Sequence, residues 1–124
     1  MLLLKPVYFY NLGYLVTYLI IRCRVYIGEY QRKIKEEFSI IDIKANHYVF
    51  IDGKQIIGIV RIMYENGIAD LARVTVIKEY RNQGYGMELM KRVINEVRNS
   101  RKAEIIRLSI SDKAMLDFYQ QFGF

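Results

Sequence analysis

One stretch constrains this chain more than any other: Val74-Thr75-Val76-Ile77-Lys78-Glu79-Tyr80-Arg81-Asn82-Gln83-Gly84-Tyr85-Gly86, a β-branched run entering a glycine-bearing loop. A helix leaves the loop, because Met87, Met90, Val93, Ile94 and Val97 recur at spacings of three and four, with Lys91, Arg92, Asn95, Glu96 and Arg98 on the other side. Upstream, His47 to Ile51 and Gln55 to Met63 are strand-like and flank the turn signal Asp52-Gly53, which predicts an antiparallel hairpin. Glu65-Asn66-Gly67 marks a second turn and Ile68 to Ile77 the third strand. Ile105 to Ile110 reads as a further buried strand, and Ala114 to Gln121 as a short helix closed by Gly123. Hairpin, strand, loop, helix, strand, helix is the order of an α/β fold with a central mixed β-sheet flanked by helices.

The N-terminal third is less patterned. Leu2 to Tyr10 reads as a first strand, and Leu12 to Arg24 as a helix with its apolar face at Leu12, Leu15, Leu19 and Cys23. Gln31 to Glu37 suits a solvated helix or loop. Pro6 through Ile21 carries no charge, yet it is shorter than the roughly 20 apolar residues a bilayer core needs. Tyr8, Tyr10, Asn11, Tyr14, Thr17 and Tyr18 make it too polar for a signal-peptide core, and no small-residue cleavage site follows. The segment therefore belongs to the fold, and no membrane partner is expected.

A chain of 124 residues holds one domain of ordinary size, residues 1–124, and should bury about two-thirds of its unfolded surface without staples. At 52% hydrophobic and 26% charged residues, it is neither disordered nor fibrous. Cys23 is the only cysteine, which excludes an internal disulfide and makes a reducing cytoplasm the simplest location. One histidine and one cysteine are a poor ligand supply, so no metal is implied. The +6 charge favours an anionic partner of some kind: nucleic acid, anionic lipid or a phosphorylated cofactor.

The loop selects among these. A helix that starts at such a loop aims unpaired N–H groups and about half a positive charge at whatever precedes it, which suits an anion. Gly84 and Gly86 permit close approach or positive φ, Arg81 adds a guanidinium fork, and Asn82 and Gln83 add amide donors. No Lys-Ser/Thr pair follows the glycines, so this is not a Walker loop, and Leu89 stands where a dinucleotide fingerprint would need its third glycine. Two glycines that simply make a tight turn into a helix would give the same pattern.

Arg81-x-x-Gly84-x-Gly86 after an apolar strand, followed by Phe118-Tyr119-x-x-x-Gly123-Phe124, resembles the GNAT superfamily of acetyl-CoA-dependent N-acetyltransferases. Weaker similarity to its ElaA-like branch extends through Asp52-Gly53-Lys54-Gln55-Ile56-Ile57-Gly58 and Arg22 to Glu29. The resemblance implies a GNAT-like acyl-CoA N-acyltransferase fold. It also implies that acetyl-CoA lies between splayed parallel strands, here Leu71 to Ile77 and Ile105 to Ile110. Val74, Thr75 and Val76 would then pair with the pantetheine arm, and the Val76 N–H would polarise the thioester carbonyl. Arg81, Asn82, Gln83, Gly84, Tyr85 and Gly86 would hold the diphosphate. Ser111 stands where many relatives carry an asparagine facing the cofactor. Tyr119 matches the tyrosine that acts as general acid toward the cofactor sulfur, although it is also one of eleven tyrosines and could simply pack a helix.

Many relatives take the acceptor's proton with a glutamate on the central strand, whereas Asp70-Leu71-Ala72-Arg73 offers none in line. Asp70, Glu29 and His47 are the candidate bases, each with an ordinary structural reading beside it. An acceptor amine of low pKa, or one deprotonated through ordered water, is the expectation. Relatives usually continue past the Gly-Phe with a hairpin that covers the last strand, and this sequence stops at Phe124. Ile105 to Ile110 would be left as an unpaired edge, so dimerisation, pairing with another element or a truncated gene product is expected.

The activity implied is acetyl transfer from acetyl-CoA to a primary amine of a small molecule or peptide. A non-catalytic acyl-CoA-binding or regulatory module is the alternative. Nucleic-acid binding through Arg98, Arg101, Lys102 and Arg107 is not favoured, because these residues read as a solvated helix end and no recognition motif accompanies them.

Overall fold

The computed structural model describes residues 2–8, 11–29, 31, 33, 38, 41–110 and 115–124. Its centre is a five-stranded sheet in chain order: β1 (Leu2–Pro6), β2 (Asn46–Asp52), β3 (Gln55–Glu65), β4 (Ile68–Val76) and β5 (Ile105–Leu108). The first four strands are antiparallel neighbours, and β5 runs parallel to β4. The predicted hairpin and the second predicted turn both form. Asp52 pairs with Gln55 across Gly53-Lys54, and Glu65 with Ile68 across Asn66-Gly67. Asn66 (φ 52°) and Gly67 (φ 75°) both sit at positive φ, as the tight turn between twisted strands demands.

Helices cover both faces. On one lies α1 (Leu12–Arg22), continued by a π-helical segment, Cys23–Glu29, and followed by the short α2 (Ile41–Lys44). Tyr18, Ile21, Val25 and Tyr26 pack there against Val49, Ile51 and Ile59. On the other face, α3 (Tyr85–Ser100) places Leu89, Met90, Val93 and Val97 against Phe50, Val60, Ile62 and Leu71, and α4 (Leu116–Gln120) adds Tyr119. Of the predicted stripe of α3, Met90, Val93 and Val97 are buried, Met87 and Ile94 are half-buried, and Leu89 joins the buried set.

Two expectations need correction. The face of α1 that packs is not Leu12, Leu15, Leu19 and Cys23: Leu12 is 65% exposed, and Leu19 and Cys23 are exposed as well. Tyr18, Ile21, Arg22 and Val25 are buried instead, and Tyr18 and Arg22 can be because their polar atoms find partners inside. Arg22 donates to Asp42 at 2.7 Å and its guanidinium lies 4.7 Å from the Phe38 ring centre, while the Tyr18 hydroxyl meets His47 at 2.6 Å. A charge neutralised and hydrogen-bonded in this way can be buried where a bare one cannot. Nor is β5 a buried strand: it is the sheet edge, its exposure alternates, and Ile105 is 60% exposed. The first strand is shorter than expected, ending at Pro6 with Val7 and Tyr8 already past it, and the last helix starts at Leu116; residues 9–10 and 111–114 lie outside the described residues, and the other bounds are close to those expected. Most of the Gln31–Glu37 stretch also falls outside them. Among the described residues no helix is long and apolar enough to cross a membrane.

Candidate active site

The site originates in a defect of β4. Between Ile59 and Arg61 of β3 the partner residues jump from Thr75 to Ala72, so β4 carries one extra residue there, and Arg73 takes φ 56°. Such a bulge bends its strand. β5 pairs with β4 only from Ile68 to Leu71, ending with the Ser109 N–H on the Leu71 carbonyl at 3.2 Å. Beyond that point the two strands part. Ile77 donates to Ile57 on β3, so the alternating neighbour Val76 turns its N–H and C=O the other way, toward the side β5 has left. Gly58 lets β3 follow closely: a Cβ there would stand 2.5 Å from the Thr75 carbonyl oxygen.

After β4 the chain makes one 3₁₀ turn, Lys78–Tyr80, and enters the glycine loop. Asn82 (φ 62°) and Gly84 (φ 84°) are left-handed, and Gly84 is the N-cap of α3 with no side-chain hydrogen bond capping the helix. The N–H groups of the first turn therefore face the loop without a side-chain acceptor, and the positive end of a 16-residue helix dipole lies there. Gly86 permits a close approach of α4, since a Cβ at this position would be 3.3 Å from the Phe118 ring.

A cavity of about 540 Å³ occupies the space between the parted strands. Val74, Thr75 and Val76 wall one side and Ser109 and Ile110 the other, with Arg81, Asn82, Gly84 and Gly86 at the helix end. Phe118 and the buried Tyr119 come from α4, and Val25, Tyr26 and Arg73 line it from the α1 face. The cavity thus reaches both faces of the sheet. The buried hydroxyls of Tyr26 and Thr75 are joined at 2.8 Å, and the Arg73 guanidinium stands 5.1 Å from the Tyr26 ring centre.

Eight of the residues singled out from the sequence meet here: Val74, Thr75, Val76, Arg81, Asn82, Gly84, Gly86 and Tyr119. Gln83 and Tyr85 do not line the cavity. The Gln83 amide donates to the Glu79 carbonyl at 3.3 Å, and the Tyr85 hydroxyl donates to Asp52 at 2.8 Å, which pins the start of α3 to the β2–β3 turn. Ser111 lies outside the described residues. Asp70 is away from the cavity, held by Arg107 of β5 through two hydrogen bonds, one of 2.6 Å between Nη2 and Oδ2. Glu29 grips Arg81 at 2.7 and 3.1 Å. His47 sits in a separate network: its Nε2–H donates to the Asp42 carbonyl at 2.7 Å, so Nδ1 accepts from the Tyr18 hydroxyl. Burial pushes the His47 pKa below its ordinary value and pushes that of Tyr18 up. Among the described residues the cavity wall carries no carboxylate and no imidazole.

Sequence reasoning missed Val25, Tyr26, Arg73, Ser109 and Met115 as wall residues. The only available signal was proximity to a quoted motif, since none of them is distinguished by type or spacing.

This chain belongs to the GNAT family of acetyltransferases: the family profile described as "Acetyltransferase (GNAT) domain" matches residues 44–124. It is 30% identical over 71 residues to the uncharacterized N-acetyltransferase YjcF of Bacillus subtilis, covering 57% of this chain. The match spans about half of that relative, 51% of its length. The fold superposes on Escherichia coli ElaA with a TM-score of 0.84 at 18% identity, covering 98% of this chain and 86% of ElaA. It also superposes on an acyl-CoA N-acyltransferase from Pseudomonas aeruginosa with a TM-score of 0.83 at 21% identity, covering 100% of this chain and 87% of that one.

Proposed function

We propose that this chain transfers an acetyl group from acetyl-CoA to the primary amine of a small molecule or peptide by direct attack. The observation that carries the reading is the single cavity running from the outward-turned backbone of Val76 to the uncapped start of α3 at Gly84. Its wall fits the cofactor: the β4 backbone from Val74 to Val76, with the Val76 carbonyl held by Arg81, beside the amide-bearing arm, apolar Leu89, Met87 and Ile110 along it, and Arg81, Asn82 and helix N–H groups for the diphosphate. Bound there, acetyl-CoA supplies an acyl group activated as a thioester.

The chain's own groups do the rest. The Val76 N–H donates to the acetyl oxygen, and a fixed donor of this kind helps most when negative charge develops on that oxygen. Tyr119 gives its proton to the departing sulfur, since a phenol of pKa about 10 can protonate a thiolate of pKa about 8.5. With no carboxylate or imidazole among the described wall residues, the acceptor must lose its proton to water or enter neutral. That costs about 4.6 kcal/mol at pH 7 for a lysine-like amine of pKa about 10.4, but only about 1 for one near 8, so we favour amines of low pKa. Within the family we favour the ElaA-like branch, on the segments Arg22 to Glu29 and Asp52 to Gly58.

The same wall supports a second reading, a non-catalytic acyl-CoA-binding or regulatory module. A thiol-release assay with acetyl-CoA across a panel of amines separates the two. Amine-dependent release of coenzyme A supports the transferase, and saturable binding without turnover supports the module. The edge position of β5 further supports a homodimer through that strand, to be checked by sedimentation equilibrium. We place the protein in the cytoplasm, where the exposed Cys23 thiol stays reduced.

A further inference from the structure

Among the described residues Arg81 is the one guanidinium at the diphosphate end of the cavity wall, and each of its two-hydrogen edges carries a hydrogen bond within the protein. Nε donates to the Val76 carbonyl at 2.9 Å, while Nη1 and Nη2 donate to the two carboxylate oxygens of Glu29 at 2.7 and 3.1 Å. A diphosphate oxygen pair needs one such edge for bidentate contact, and a carboxylate beside it would repel it. Glu29 ends the π-helical segment, and that segment supplies Val25 and Tyr26 to the cavity wall on the α1 face. A second ion pair, Arg24 to Glu79 at 2.6 Å, ties the same segment to the 3₁₀ turn before the loop.

We propose that Glu29 competes with the cofactor diphosphate for the Arg81 fork, so that cofactor binding exchanges one anion for the other and lets go the end of the segment carrying Val25 and Tyr26. This rests on the reading that acetyl-CoA occupies the cavity. Glu29 is then a positioning residue: it sets cofactor affinity and makes the α1-side wall respond to what is bound at the loop. The Nε bond to Val76 holds Arg81 in place while its other edge changes partners. Release of Glu29 leaves the Arg24–Glu79 ion pair and the Tyr26–Thr75 hydrogen bond in place, so the end of the segment loosens without the segment leaving.

The test compares coenzyme A and S-acetylpantetheine, which lacks the diphosphate, by calorimetric titration of the wild type, Glu29→Gln and Arg24→Gln. Glu29→Gln should tighten coenzyme A binding about two- to fivefold, the range that an exposed ion pair supports, and leave S-acetylpantetheine unchanged. Arg24→Gln should bind both ligands as the wild type does. Unchanged or weaker coenzyme A binding in Glu29→Gln overturns the proposal, as does equal tightening for both ligands. Equal tightening in Arg24→Gln overturns it too, since general loosening would then be the cause. Failure of the wild type to bind coenzyme A instead removes the cofactor reading itself, which separates the two failures. Glu29→Ala repeats the comparison should the glutamine variant not fold.

Discussion

The hydroxyls of Tyr26 and Thr75 are hydrogen-bonded at 2.8 Å, tying the segment after α1 to the strand that walls the cavity. Both residues are buried, so neither hydroxyl has ready access to water as a substitute. Tyr26→Phe should therefore cost about 1–3 kcal/mol of stability in urea denaturation.

Tyr119→Phe keeps the ring and removes the proton. The rate of coenzyme A release should fall about 10²- to 10⁴-fold while acetyl-CoA affinity stays within about twofold. Loss of binding with no separate loss of rate would return Tyr119 to a packing role.

Gly58→Ala places a methyl group 2.5 Å from the Thr75 carbonyl oxygen, and backbone rather than a flexible side chain must move. A loss of about 1–3 kcal/mol is expected in thermal or urea unfolding. Affinity for coenzyme A should fall with it, because the displaced strand is the one that carries Val74 to Val76.

His47 is held neutral by burial, with its folded-state pKa below the unfolded value of about 6.5. Between those two values the unfolded chain binds a proton that the folded chain does not, so stability falls as pH drops below about 6.5 and levels off below the folded pKa. Denaturation midpoints at pH 7.5 and pH 5 should differ more for the wild type than for His47→Gln. Equal differences would show that other groups set the acid sensitivity.

Arg22 is fully buried and donates to Asp42, which Arg61 also holds at 3.0 Å. Arg22→Ala should cost about 3–5 kcal/mol, because it strips a partner from a half-buried carboxylate and leaves a hole between Tyr18 and Phe38. Thermal unfolding of this variant measures it, and a loss below about 1 kcal/mol would mean that Arg61 alone suffices.

The sequence is most legible where local chemistry decides the outcome. Asp52-Gly53 and Asn66-Gly67 are turn signals that act on their own backbone, and the stripe Met90, Val93 and Val97 needs only a helix and a sheet to cover. Gly84 and Gly86 point to the loop for the same reason. The α1 face is illegible because its burial depends on partners remote in sequence: Arg22 is apolar in effect only once Asp42 neutralises it, and Tyr26 only once Thr75 takes its hydroxyl. The bulge at Arg73 leaves no mark either, since an arginine at positive φ is imposed by the pairing of β3 and β4. Arg81 illustrates the difference between type and context: its place at the loop is readable, while its grip on Glu29, fifty-two residues earlier, is not.

Residue-resolved amide hydrogen exchange, with and without saturating acetyl-CoA, tests the central claim most directly. Exchange should slow at Val76 and at Tyr85, Gly86 and Met87 in the first turn of α3, where the thioester oxygen and the diphosphate would be held. Unchanged exchange at all four amides under saturating acetyl-CoA would contradict the account.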